Sequence, residues 1–553
     1  MKLFSIFAIF LVILSTFEAK LHAQTIGTVL HTESTSEGYT LFSPFNEETY
    51  LVDNCGRTIN SWSSEYLPGM WSQLDENGNL YRTGKLPSST FDSGGNGGLL
   101  EKYNWNGELV WQFEYANDEH HQHHDFEVLP NGNILIIAVE KISLDQALSL
   151  GRDPETIQND ILWIETIVEI KPLGPTEGEI VWKWSFIDHL VQEFDSALPN
   201  YGNIKENLGK LNFNYSEWST DFDWVHLNGI DYNPELDQII ISSRHTEEIY
   251  IIDHSTNTEE AASSEGGNSN KGGDFLYRWG NPAAYNLGEP SDKMLFGPHD
   301  PQWISDHPNY EGMISIFNNG FNRIGGIDYS SIDIISPPID SQGVYIETPG
   351  DNYGPLDLAW TFEANPPESF LANSVSGSHQ LKNGNFIITH GPLGTIYEYT
   401  SEGEKTWEYR NPVTLSGPNP QGSFYPIPGG NLFNATKYES DFPGFLDKDL
   451  TPQSVIELGS TQLSCLTNTY DKENKYHHSQ SKLYPNPTDG YIHLSITPNE
   501  AYTLQIVDLL GNQIINKSFT PNISVHDLPK GCYYLLLEDT SNKIIYNERF
   551  IKL

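Results

Sequence analysis

From residue 71 onward, apolar and polar residues alternate over short runs broken by turn residues at a regular spacing, the pattern of half-buried strands rather than of helices. The unit is a short apolar strand, a turn often spelled Asn-Gly-Asn, two further strands, and a fourth rich in Trp. One copy runs from Trp71-Ser-Gln-Leu-Asp-Glu-Asn-Gly-Asn to Glu108-Leu-Val-Trp-Gln-Phe, and the next from His124 to Trp182-Lys-Trp. Others run from Trp224 to Tyr277-Arg-Trp, from His299 to Trp360 and from Ser376 to Trp407-Glu-Tyr. An incomplete sixth opens Phe424-Tyr-Pro-Ile-Pro-Gly-Gly-Asn, while unmatched strands from Gly38-Tyr-Thr-Leu-Phe to Ile59-Asn-Ser-Trp lie at the other end. Joining the two closes a ring and removes exposed sheet edges. The pattern therefore predicts an all-β fold, a six-bladed β-propeller whose Trp residues pack between adjacent sheets. An array of β-sandwiches is the other arrangement of such strands, but it needs no fixed internal period.

The ends of the chain read differently. Lys2, the apolar run from Leu3 to Leu14 and Leu21-His22-Ala23 form a signal-peptide pattern over residues 1–23, too short an apolar run to span a bilayer. The propeller body is expected over 24–465 and a polar linker over 466–482. A small module over 483–553 alternates as short strands: Leu483-Tyr-Pro-Asn-Pro-Thr-Asp-Gly, Ala501-Tyr-Thr-Leu-Gln-Ile-Val-Asp-Leu-Leu-Gly, Leu528-Pro-Lys-Gly-Cys-Tyr-Tyr-Leu and a tail from Lys543. At 553 residues the chain exceeds what one core usually supports, which agrees with a body plus an appended module. A net charge of -44 repels phosphate backbones and anionic headgroups, so nucleic acid is excluded as a partner. The mature chain is expected to hold no membrane span. Cys55, Cys465 and Cys532 allow one bridge, and a closed ring would bring Cys55 to Cys465.

In a propeller, the inner strand of each blade starts at the same face of the channel where the second strand ends. Three successive blades open with histidine at that face: His123-His124-Asp125, Trp224-Val-His226-Leu-Asn228 and Pro298-His299-Asp300. His124 and His299 stand equally far before Leu129 and Ile304, and His226 is within one residue of that register. The run Ile239-Ile-Ile-Ser-Ser-Arg244 delivers an arginine beside His226, and the same logic brings Asn318, Asn319 and His390 near the face. His379 aligns with Glu127 and reads as structural. His120 and His121 read as loop residues or as part of a metal site. Histidines in one register with a forked guanidinium suit a compact anion with several oxygens, and imidazole can also attack as a nucleophile. Metal ligation is the rival reading, disfavoured by the arginine and by the scarcity of nearby carboxylates.

The segments around His123, Trp224 to Asp253, Gly297-Pro-His-Asp, Gly391-Pro-Leu-Gly-Thr-Ile-Tyr and Asn434-Ala-Thr-Lys-Tyr-Glu-Ser resemble the bacterial arylsulfate sulfotransferases across nearly the whole body. The resemblance implies a six-bladed propeller that moves a sulfuryl group from an aryl sulfate to a phenol through a sulfated histidine, by a ping-pong route without a nucleotide donor or other cofactor. It implies that His226, Asn228 and Arg244 bind the sulfuryl oxygens, that His124 assists, and that His299 is the nucleophile. His123 and His390 fall to substrate binding on position, and no metal is expected. The chain departs from that family in lacking a separate N-terminal sandwich and in carrying its C-terminal module. That module resembles the sorting domain of the type IX secretion system of the Bacteroidetes. The resemblance implies export through the periplasm to the cell surface or medium, with the secretion machinery as partner. An aryl sulfate hydrolase and a non-catalytic ligand-binding propeller remain open on the same residues.

Overall fold

The computed structural model of the chain describes residues 24–215, 222–305, 307–340, 343–346, 353–460, 483–495, 502–508, 513–538 and 544–553. The expected signal peptide and linker lie outside these residues, as does Cys465, while Cys55 is disulfide-bonded.

The alternating runs form antiparallel sheets in which strands pair with their neighbours in sequence. The first sheet holds Gly38–Pro44, Glu48–Asp53 and Thr58–Ser63, and Leu432–Glu439 from the far end of the body pairs along Gly38–Pro44, with Thr40 opposite Lys437. This completes the unit that the sequence leaves split, and ties the two ends of the body together. The second sheet runs Pro68–Leu74, Leu80–Lys85, Gly98–Tyr103, Leu109–Glu114, and the third His120–Val128, Ile134–Ser143, Ile161–Leu173, Glu177–Ser185. The fourth runs Leu227–Asn233, Gln238–Ser243, Glu248–Asp253, Tyr277–Trp279, and the fifth His299–Trp303, Ile314–Asn318, Ser331–Ile335, Trp360–Glu363. The sixth, Gly377–Gln380, Phe386–His390, Thr395–Tyr399 and Lys405–Arg410, gains an outer strand from Gly27–His31.

The middle strands are β-branched and buried on both faces because each sheet is covered on both sides. Leu135, Ile137 and Trp182 of the third sheet share a core with Ile239, Ile241 and Tyr250 of the fourth; Phe42 and Val52 of the first share one with Ile387 and Trp407 of the sixth. Each such side chain contributes about 1.5–3 kcal/mol by leaving water.

The tryptophans do what their position predicts. Trp62 donates its indole N–H to the carbonyl of Asn104, in the turn between the last two strands of the second sheet, and Trp111 to that of Glu177 in the third. Trp184 reaches Gly273 ahead of the last strand of the fourth, Trp279 reaches Pro355 ahead of the last strand of the fifth, and Trp407 reaches Asn54 of the first. Trp360 of the fifth stacks on Phe386 of the sixth with centroids 4.4 Å apart. Every sheet thus hands an outer-strand aromatic to the next, and the last returns to the first. The innermost strands touch in the same order, with Gly377–Gln380 against Leu432–Glu439 and Leu432–Glu439 against Pro68–Leu74.

The C-terminal residues form a three-stranded sheet (Leu483–Tyr484, Tyr491–Leu494, Asn522–Ser524) and a four-stranded one (Gln513–Ser518, Thr503–Asp508, Gly531–Glu538, Ile544–Lys552). They share a core built on Ile492, Leu494, Leu504, Ile506, Leu535 and Phe550. Among the described residues, no helix is long and apolar enough to cross a membrane.

Candidate active site

The histidines sit where the inner strands stop being regular. The pairing register shifts opposite residues 123–125, at Asn228 and at 300–301, a bulge in each of three successive inner strands. One residue other than glycine adopts a left-handed backbone in or just ahead of each bulge: His124 at φ 54, His226 at φ 55 and Asp300 at φ 50. Bulges re-aim side chains, and left-handed residues other than glycine concentrate at functional sites. His299 stands one residue ahead of the left-handed position that His124 and His226 occupy, a small departure from the common register the sequence predicts.

The re-aimed rings form one cluster. His124 and His226 lie 4.7 Å apart between ring centroids, at a steep angle. His226 donates from Nδ1 to Oδ2 of Asp223 (2.7 Å) and stacks on His245 at 4.8 Å. Asp223 also accepts from the hydroxyl of Ser93 at 3.1 Å, and its carbonyl accepts from Nδ1 of His245 at 2.9 Å. Nδ1 of His124 lies 2.7 Å from Nδ1 of His123, whose Nε2 reaches Oε2 of Glu165 at 2.8 Å. Nδ1 of His299 meets Oδ1 of Asn319 at 2.6 Å. Arg244 pairs its backbone N–H with the carbonyl of His226 and donates from Nη2 to the carbonyl of Asn373, both at 3.0 Å.

Electrostatics separates the imidazoles. Burial, then the charge of Arg244, lowers His299 to about 3, so its ring is neutral at any ordinary pH. Burial and the neighbouring His226, His123, His299 and Arg244 hold His124 well below the usual histidine value. Burial opposes charge on His123 too, but the carboxylate of Glu165 outweighs it and raises His123. Burial also works against ionised Asp223, yet His226 beside it holds the carboxyl well below its usual range. The cluster is buried, with His124, His226 and His299 only 3%, 9% and 2% exposed.

The remaining expected residues fall elsewhere. Asn228 donates to the carbonyl of Pro298 (2.8 Å) and accepts from Ser242 (2.6 Å), bracing the segment that carries His299. Asn318 is committed to Asp333, Met294 and Phe296, whereas Asn319 holds His299. The ring of His390 packs edge-on to Phe370 at 5.0 Å, and burial lowers it to about 4. His379 accepts the backbone N–H of Lys437. His120 packs on Tyr115 at 4.2 Å, and His121 lies against Phe91.

Glu165, Asp223 and His245 escaped the sequence reading, as did the loop 92–97 that closes over the histidines. In that loop the carbonyl of Gly95 accepts the N–H of His124 at 2.6 Å. Among the described residues, Asp223, His226 and His245 are the group with ligand atoms close enough to hold a metal ion, within 4.8 Å of one another. Their atoms are instead joined by the hydrogen bonds above.

The far ends of the same inner strands line a cavity of ≈ 460 Å³, bordered by Trp71, Glu127, Asp231, Trp303, His379 and Lys437. None of the clustered histidines borders it. The ring of Phe433 lies between the two regions, 6.1 Å from His124 and 6.4 Å from Trp71.

Residues 16–411 match the family model described as arylsulfotransferase (ASST), and residues 482–552 match the secretion system C-terminal sorting domain. The latter is the type IX sorting domain, which marks the chain for secretion and export to the cell surface. No curated protein matches the chain. Similar solved structures include a protein of unknown function from Bacteroides caccae, 11% identical, covering 73% of this chain and 99% of that one at a TM-score of 0.38. The β-propeller domain of Myceliophteria thermophila Cps50 (Swd1) is 8% identical, with 70% and 90% covered and a TM-score of 0.34. Virginiamycin B lyase from Staphylococcus aureus is 12% identical, with 62% and 70% covered and a TM-score of 0.29.

Proposed function

The chain belongs to the arylsulfotransferase family, and from that premise we propose that the histidine cluster transfers a sulfuryl group from an aryl sulfate to a phenol by a ping-pong route through a sulfated His299. In this reading the six sheets of the body are the blades of one propeller, with the cluster at one mouth of its channel, and the C-terminal module is a small sandwich serving only as an export address.

The observation that carries the reading is the state of His299. Asn319 spends its Nδ2 on the carbonyls of Ala372 (2.6 Å) and Val375 (2.9 Å), so its Oδ1 is the atom facing His299. An amide oxygen accepts, so Nδ1 of His299 carries the proton and Nε2 carries the lone pair. A neutral, oriented imidazole with its lone pair exposed is a nucleophile. It attacks sulfur as the S–O bond to the aryl oxygen breaks. Arg244, fixed by Asn373, offers its fork to the sulfuryl oxygens, and such preorganised charge is often the largest single term in catalysis. The departing phenolate takes a proton from the cluster, and a second phenol, deprotonated in turn, removes the sulfuryl group from His299.

Intact-protein mass spectrometry after exposure to 4-nitrophenyl sulfate without acceptor tests this. The expected result is a stable adduct of one sulfuryl group that is absent in His299→Ala and discharged by added phenol as aryl sulfate. Release of inorganic sulfate regardless of phenol, or an adduct that persists in His299→Ala, overturns the reading.

A further inference from the structure

The reaction needs a group that gives a proton to the departing phenolate and then takes one from the incoming phenol. Resting on the sulfotransferase reading above, we propose that His124 is this acid and base, and that Glu165 and His123 form a proton relay behind it that switches His124 between the two roles.

The hydrogen-bond chain determines where the protons are. Glu165 is buried, and Oε1 accepts the N–H of Leu227 at 3.1 Å while Oε2 faces Nε2 of His123 at 2.8 Å. A carboxylate only accepts, so Nε2 of His123 is a donor. The two Nδ1 atoms of His123 and His124, 2.7 Å apart, then share a single proton. When that proton sits on His123, His123 is an imidazolium against Glu165, and His124 is neutral with its proton on Nε2, ready to donate. When it sits on His124 and Nε2 has given its own proton away, both rings are neutral and Nε2 of His124 holds a lone pair, ready to accept.

The two steps balance. In the first half-reaction the S–N bond forms at His299 and the S–O bond breaks; the aryl oxygen takes the Nε2 proton of His124, and the proton on Nδ1 of His123 passes to Nδ1 of His124. In the second, the acceptor phenol gives its proton to Nε2 of His124 as its oxygen bonds sulfur and the S–N bond breaks; the Nδ1 proton returns to His123. No proton comes from solvent, and none passes to Glu165.

The surroundings favour this resting order. His123 faces Glu165 from the third sheet, Asp223 and His226 from the edge of the fourth, and His124 and His121 on its own strand. His124 faces His123, His226, His299 and Arg244. The carboxylates of Glu165 and Asp223 act on His123 and the guanidinium of Arg244 on His124, so the shared proton rests on His123, the acid-ready state.

The test compares leaving groups in the full-length protein. Phenol, with a pKa near 10, needs a proton on departure, while 4-nitrophenol, a weaker base, needs it far less. For Glu165→Gln, kcat/KM is expected to fall on the order of 100-fold with phenyl sulfate, the usual scale of general acid catalysis, and only a few-fold with 4-nitrophenyl sulfate. The alkaline limb of the phenyl sulfate pH profile is expected to move to lower pH. Equal losses on both donors, or an unmoved limb, overturn the relay. His123→Gln gives the same comparison if Glu165→Gln does not fold. The single-turnover burst of 4-nitrophenol from the unaltered protein keeps the two claims separate: without it the His299 reading itself fails, and with it only the relay is at stake.

Discussion

Asn319 accepts the Nδ1 proton of His299 at 2.6 Å while its own amide nitrogen is held by the carbonyls of Ala372 and Val375. The asparagine cannot flip without breaking two bonds, so it fixes both the tautomer and the aim of the nucleophile. Asn319→Ala frees the ring to turn and to put its proton on Nε2. The expected result is a fall in the rate of His299 sulfation of about 10²-fold, the scale for a misplaced reacting group, with KM for the donor little changed. Single-turnover kinetics with 4-nitrophenyl sulfate reads both.

Arg244 is held at two points, its backbone by His226 and its guanidinium by Asn373, and Gly297 leaves room for it: a Cβ there would stand 3.4 Å from Nη1. A lysine keeps the charge but loses the planar fork. Arg244→Lys is expected to lower kcat/KM by about 10²–10³-fold, comparable to losing an oxyanion donor, without moving Tm. Steady-state kinetics beside thermal denaturation decides it.

Gly95 has φ +83, and a Cβ on it would fall 2.0 Å from Cε1 of His124. Gly132 has nearly the same backbone, φ +84, with nothing within 4 Å. Both substitutions to Ala carry the left-handed backbone cost of about 1–2 kcal/mol, but only Gly95→Ala also pushes His124 out of line. The expected outcome is similar, modest Tm losses for the two, or a larger one for Gly95→Ala, and lost phenyl sulfate turnover in Gly95→Ala alone.

The architecture was legible in the sequence because it repeats: alternating strands and Trp residues recur in each unit, and each Trp reports the next sheet. His226 and Arg244 were legible together for a related reason, since one opens an inner strand and the other ends its hairpin partner. What was hidden crosses between sheets. Glu165 lies in Trp163-Ile-Glu-Thr-Ile-Val-Glu-Ile, where it looks like one more outward position beside Glu169, and only the approach of the fourth sheet reveals its bond to Leu227. Asp223 lies in a connection with no strand pattern to place it. Asn228 was legible as a neighbour of His226, but not its commitment to Pro298 and Ser242, because those bonds depend on the bulge at that residue.

Asp223 and His226 are separated by 2.7 Å, closer than two ligands sit around one ion, and a proton holds them. Zinc needs each ligand atom about 2.0–2.2 Å from itself and the proton gone. Prolonged dialysis against a chelator is therefore expected to leave turnover unchanged, and added Zn2+ to inhibit by seizing Asp223, His226 and His245. Loss of activity on chelation, restored by metal, would contradict the hydrogen-bonded state of this trio.

Carboxyl groups on the inner strands couple stability to alkaline pH. Asp125, Asp231 and Asp300 each accept a backbone N–H from the next sheet, from Ile230, Trp303 and Ser378 at 3.1, 2.7 and 2.7 Å. Burial raises Asp300 to about 6 and Asp125 well above the usual carboxyl value; burial and the charge of Asp231 raise Glu127 to about 8, and burial and the charge of Asp300 raise Asp231 to about 7. An acid whose folded value is raised contributes stability that is complete below its unfolded value, near 4, and lost as pH rises through the folded one. Histidines lowered by burial, such as His299 and His390, work the other way, but their contribution is already complete above pH about 6.5. Above that pH the carboxyls act unopposed, and the raised His123 adds to them. Thermal stability is therefore expected to fall between about pH 6.5 and 8.5, by up to about 1.4 kcal/mol per pH unit for each proton lost. Glu127→Gln can still accept from Gln73 as Glu127 does at 3.1 Å, and removes the most strongly raised of the carboxyls given a value, so it is expected to flatten this slope. Calorimetry across that range reads the result, and a Tm that holds level or climbs in the unaltered protein would rule out protonated carboxyls in the folded state.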